Sequence, residues 1–131
     1  MTTETKVGRA LVAVVDDESD YRNLLRRWLK EEYEVIGMSD GEDLLSWDWA
    51  QPPDLVILDV KMPGINGFAL CQKLRADPRF ARAPILFLTG VDSDEGFLLG
   101  LDAGATSYMT KPVDRKALMG RIREILMPES L

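Results

Sequence analysis

Two runs of the chain, ALVAVVDD (10–17) and DLVILD (54–59), are apolar almost without interruption and rich in β-branched residues. Such runs have no side to turn toward water, so they read as strands buried on both faces, the signature of a parallel sheet covered by helices. The segments around them fit that architecture. Ser19 is placed to cap a helix over 20–31, whose apolar residues Tyr21, Leu24, Leu25, Trp28 and Leu29 share one face. Its other face carries Arg22, Arg26, Arg27 and Lys30. YEVIGM (33–38) is a weaker strand. Asp40-Gly41 opens a short helix that fades before Pro52 and Pro53. Asn66 is placed to cap a helix reaching about Ala76, and PILFLT (84–89) is a further strand. Asp92 or Ser93 starts a helix that ends at Gly104, a natural left-handed stop. ATSYMT (105–110) is the last strand, and a helix over 114–126 turns Leu118, Ile122, Ile125 and Leu126 inward. A strand followed by a helix, five times over, predicts an α/β domain with a parallel sheet and helices on both faces. It occupies 10–127, between a polar, flexible N-terminal tail at 1–9 and a short C-terminal tail at 128–131.

Composition narrows the chemistry. The 131 residues include no histidine, so His-based nucleophile pairs and Cys/His zinc sites are excluded, and the chain cannot be a histidine phosphodonor. Any metal must be held by oxygen, which points to Mg2+, Ca2+ or Mn2+. The single cysteine, Cys71, is flanked by helix-core positions and reads as a buried side chain. A formal net charge of -6 disfavours direct binding to nucleic acid or to anionic membranes. The longest apolar run, Ala10 to Val15, is far short of a membrane span, and the N-terminus lacks an apolar signal segment. A cytoplasmic location is therefore expected.

Ligands of open parallel sheets bind beyond the carboxyl ends of the strands. Four strands end in groups with chemical potential: Asp16 and Asp17, Asp59, Thr89, and Lys111. Parallel topology carries all of these ends to one edge. Converged carboxylates repel by about 4 kcal/mol per pair at about 4 Å and an effective dielectric near 20. A divalent cation removes that penalty. Mg2+ beside a lysine suits a phosphoryl group, with a carboxylate as nucleophile and the Thr89 hydroxyl as a further donor.

VVDDE (14–18), ILDVKMPGINGF (57–68), LFLTG (86–90) and DAGATSYMTKP (102–112) together resemble the receiver domains of bacterial two-component response regulators. The likeness runs over about 9–127. It implies a flavodoxin-like, doubly wound sheet of strand order 2-1-3-4-5 with five helices. It implies Asp59 as phosphoacceptor, and Mg2+ held by Asp16, Asp17, Asp59 and the backbone carbonyl of Lys61. Thr89 would be the switch hydroxyl, Tyr108 the switch aromatic and Lys111 the phosphoryl-pairing lysine, followed by a cis peptide to Pro112. A histidine kinase or a histidine phosphotransfer protein would supply the phosphoryl group. The chain would be a signalling phosphoacceptor and not an enzyme in its own right. Gly90 stands where alanine is frequent, Val113 where phenylalanine is frequent, and Thr106 and Ser107 where many DNA-binding regulators carry acids.

Output would pass through the fourth helix, fifth strand and fifth helix, to a downstream protein or to a second copy of the chain. There, helical spacing turns Leu98 and Leu101 to the core and leaves Leu99 outside, with Phe97 at the border. That apolar outer side is a candidate output patch. Arg22 and Arg26 are candidates for docking an acidic phosphodonor domain. A flavin binder on the same fold is disfavoured, because DDES (16–19) replaces a phosphate-binding loop. A haloacid-dehalogenase-like phosphatase is disfavoured by Lys61, which stands where the general acid would be. The alternative on the same fold is a receiver-like interaction module that works without phosphorylation. Whether the chain stands alone or is cut from a longer protein is open, with a lean to stand-alone.

Overall fold

The computed structural model describes residues 9–127; the expected C-terminal tail at 128–131, and the expected N-terminal tail at 1–9 apart from Arg9, lie outside that range. Its elements run β1 (Leu11–Val15), α1 (Ser19–Leu29), β2 (Glu34–Met38), α2 (Gly41–Ser46), β3 (Leu55–Leu58), α3 (Gly67–Ala76), β4 (Ile85–Thr89), α4 (Asp94–Ala103), β5 (Ser107–Thr110) and α5 (Arg115–Leu126). All strand pairs are parallel, in the order β2-β1-β3-β4-β5. This is the doubly wound arrangement expected from the sequence. No helix among the described residues is long and apolar enough to cross a membrane.

Alternation along each central strand feeds two cores. Val12, Val14, Leu55, Ile57, Leu86 and Leu88 pack against Leu25 and Leu29 of α1 and Leu118, Met119 and Ile122 of α5. Ala13, Val15, Val56, Leu58, Ile85 and Phe87 face the other way, onto Leu44, Leu70, Cys71, Leu74 and Ala103 of α2, α3 and α4. Cys71 is buried, as expected, and its Sγ donates to the Ala103 carbonyl at 3.4 Å. Burial raises the thiol above its usual range, which suits an inert core position.

Helix starts follow their side chains where those are free to cap. Asp40, Asn66, Ser93 and Asp114 each accept a hydrogen bond from the amide three residues on. Gly104 closes α4 at φ 105°. Ser19 departs from expectation. It is the first helical residue, and the N-cap is Glu18, which makes no side-chain cap. The Glu18 amide already donates to Asp16 Oδ1 at 2.9 Å, so the Asp16 carboxylate sets the turn that a serine cap would otherwise set.

The facing of α4 also departs from expectation. Leu98 and Leu101 do not point to the core; they are 61% and 44% exposed, beside Phe97 at 44% and Leu99 at 46%. Gly96, Gly100 and Ala103 face inward instead. The reason is the Tyr108 ring beneath the helix. A Cβ on Gly100 would stand 2.9 Å from Tyr108 Cδ2, and one on Gly96 would stand 2.6 Å from Val91 Cγ1. Only glycine fits over Val91 and the Tyr108 ring.

Candidate phosphoryl-transfer site

The carboxyl ends of β1, β3, β4 and β5 form the walls of an open cleft of about 480 Å³, lined by Asp17, Glu18, Asp59, Lys61, Thr89, Gly90, Val91 and Lys111. Each wall residue follows from its strand. The Asp16 amide donates to the Met38 carbonyl and the Asp59 amide to the Val15 carbonyl, so sheet pairing continues into the loops and fixes both backbones. Asp16 is 3% exposed and Asp59 7%, while Asp17 is exposed.

Lys111 draws the acids together. Its Nζ donates to Asp16 Oδ2 at 2.8 Å, to Asp59 Oδ2 at 3.1 Å and to Glu18 Oε1 at 3.1 Å. Burial opposes the lysine charge, but the bonds to Asp16, Asp59 and Glu18 outweigh it and hold the ammonium above the usual lysine range. Burial likewise raises the Asp16 carboxyl, against the pull of Lys111 and the Glu18 amide. The peptide from Lys111 to Pro112 is cis.

Asp16, Asp17 and Asp59 each offer one carboxylate oxygen, and these atoms lie within 4.8 Å of one another. Oxygens on opposite sides of a cation bound at 2.0–2.6 Å are about 4 to 5 Å apart, so one hard divalent ion fits this donor set. Asp16 Oδ1 and Asp59 Oδ1 already accept from the Glu18 and Val60 amides, which orients both groups. Lys61 is exposed and lines the same cleft.

Thr89 is fully buried at the end of β4, and its Oγ1 accepts from the Val91 amide at 3.3 Å. A Cβ on Gly90 would meet nothing within 4 Å, so the cleft has room for alanine there. Tyr108 is turned inward. Its hydroxyl donates to the Val91 carbonyl at 2.7 Å, and its ring meets Phe87 and Phe97 at centroid distances of 5.7 Å each. Phe97 thus touches the aromatic beside the site, whereas Leu99 is farther round the helix.

Three residues join the site that sequence reasoning did not assign to it. Glu18 holds Lys111 from the solvent side, and the Tyr21 ring lies under the same ammonium. Gly67 lets α3 start against the loop after β3, since a Cβ there would stand 2.2 Å from the Asp59 carbonyl oxygen. Arg22 lies beside the site. It is half-buried and donates to the Asp16 carbonyl at 2.7 Å, so it braces the acidic loop, while Arg26 is exposed.

The family model of the response regulator receiver domain matches residues 12–123. The chain belongs to this family. It is 38% identical over 117 residues to the response regulator PleD of Caulobacter vibrioides, covering 88% of this chain and 26% of PleD. It is 40% identical over 116 residues to PhoP of Bacillus subtilis, the alkaline phosphatase synthesis transcriptional regulatory protein, covering 88% of this chain and 48% of PhoP. The receiver therefore spans a quarter to a half of these relatives. Among solved structures, a putative response regulator from Chloroflexus aurantiacus superposes with TM-score 0.85 at 34% identity, over 90% of this chain and 98% of that one. The chemotaxis protein CheY4 of Vibrio cholerae superposes with TM-score 0.83 at 32% identity, over 90% and 99%.

Proposed function

We propose that this receiver takes a phosphoryl group onto Asp59 in a two-component signalling system, with Mg2+ as cofactor. The observation that carries the reading is the convergence of the Lys111 ammonium on Asp16 and Asp59, beside the exposed Asp17. Asp16, Asp17, Asp59 and the Lys61 carbonyl would hold the ion. Bound Mg2+ supplies charge neutralisation for the transferring oxygens. The chain supplies the remainder. Asp59 Oδ2 is the nucleophile: Lys111 releases it to pair with the phosphoryl group, while Oδ1 stays held by the Val60 amide. An O–P bond forms on Asp59 as the P–N bond to the donor imidazole breaks, and the imidazole leaves. Lys111 exchanges a carboxylate oxygen for a phosphoryl oxygen, and the Thr89 hydroxyl donates to another.

The donor is a histidine kinase or a histidine phosphotransfer protein, and the chain is a phosphoacceptor and not a stand-alone enzyme. Movement of Thr89 toward the phosphoryl group would release the Val91 amide, and the Val91 carbonyl is the acceptor for Tyr108. Thr89 and Tyr108 therefore form a switch that biases the α4-β5-α5 surface. Phe97 and Leu99 belong to its output patch, now joined by Leu98 and Leu101, for a downstream protein or a second copy. Direct binding to nucleic acid or membrane is not part of the reading, and the cytoplasm is the proposed location.

The test is incubation with a small phosphodonor and Mg2+, followed by intact mass. One added phosphoryl group is expected. Its persistence in the presence of EDTA, or in Asp59→Asn, contradicts the reading.

A further inference from the structure

Besides three carboxylates, the Lys111 ammonium has an aromatic neighbour: Nζ lies 4.3 Å from the centroid of the Tyr21 ring. Tyr21 stands in the first turn of α1 and packs on the α1/α5 core. A cation facing an aromatic ring is drawn to its electron-rich face, and more strongly where water is excluded.

Charge alone leaves the direction of Lys111 undecided. Its amine rides on a flexible four-carbon stem. Three carboxylates share it at once, Asp16 at 2.8 Å and Asp59 and Glu18 at 3.1 Å, the first two buried in the cleft and Glu18 exposed to solvent. A lysine that swung out to Glu18 alone would leave Asp59. The Tyr21 hydroxyl does not explain why an aromatic stands here. It is buried without a well-formed hydrogen bond among the described residues, with the Val113 backbone as a polar neighbour. The ring face is what Lys111 uses.

We propose that Tyr21 is a positioning residue whose ring holds the Lys111 ammonium over Asp59 and keeps it from swinging out to Glu18 alone. This inference rests on Lys111 as the phosphoryl-pairing lysine. It assigns to a helix residue a part in the transfer step without contact with the phosphoryl group.

The experiment compares the full chain with Tyr21→Phe, Tyr21→Leu and Tyr21→Met, two aliphatic variants so that one survives if the other fails to fold. Thermal melting selects the folded ones. The first readout is the NMR position of the Lys111 ε-CH2 group. Ring-current shifting is expected in the parent and in Tyr21→Phe, and its loss in the aliphatic variants. The second is the rate of Asp59 labelling by acetyl phosphate at saturating Mg2+. An aliphatic residue is expected to slow it by about threefold to tenfold, the range a partly desolvated cation–ring contact supports, and phenylalanine to recover most of the rate. An unshifted Lys111 resonance in the parent, an aliphatic variant as fast as the parent, or phenylalanine as slow as leucine overturns the proposal. If the parent accepts no phosphoryl group at all, the phosphoacceptor reading has failed, and the lysine resonance still decides the ring contact.

Discussion

Helices α3 and α4 are neighbours on one face of the sheet, each ten residues long, and they dock in opposite ways. Helix α3 buries Leu70, Cys71 and Leu74, as an amphipathic helix should. Helix α4 buries Gly96, Gly100 and Ala103 and turns four large apolar side chains to solvent. Hydrophobicity therefore does not choose the inward face of α4. The surface below it does, because the strand under α4 presents the Tyr108 ring where a side chain would otherwise go. A helix seated on glycines gains little apolar burial of its own, and elements that move in switching come from such weakly held regions.

The largest expected effect comes from the conventional helix. Leu74→Ala leaves a cavity in a fully buried position and is expected to cost about 2 to 5 kcal/mol in urea unfolding. A loss below 1 kcal/mol would remove the contrast with α4. Gly100→Ala is expected to have a smaller net effect on stability, within about 1 kcal/mol, since helix propensity offsets crowding. Its marker is structural: the added methyl must displace the Tyr108 ring, so the Tyr108 ring resonances move. Unmoved resonances would mean that the glycine seat is not filled by tyrosine. The smallest effect belongs to Leu98→Ala, expected within about 0.5 kcal/mol because the side chain is mostly exposed. A cost of the size found at Leu74 would return Leu98 to the core.

The same contrast separates what the sequence discloses from what it hides. Buried parallel strands show as unbroken apolar runs, and their ends place Asp16, Asp59, Thr89 and Lys111 on one edge before any coordinates are seen. Asn66 and Ser93 cap helices by contacts three residues long, which spacing reveals, whereas Asp114, expected as the first residue of its helix, is its cap. The facing of α4 is hidden, because the residue that decides it, Tyr108, is a neighbour only in space. Glu18 and Tyr21 meet Lys111 across some ninety positions of chain, and no local pattern announces either contact. Ser19 misleads because its capping role passes to the Asp16 carboxylate, a consequence of how the site folds. Arg22 looks like surface charge until its bond to the Asp16 carbonyl is seen.

Chemical localisation of the phosphoryl group tests the central claim most directly. After reaction with acetyl phosphate and Mg2+, borohydride reduction converts an aspartyl phosphate to homoserine, and peptide mass spectrometry locates it. Homoserine is expected at residue 59, with Asp16 and Asp17 unchanged. Homoserine at Asp16 or Asp17, or at no aspartate in a protein that has gained phosphate, would contradict Asp59 as the phosphoacceptor.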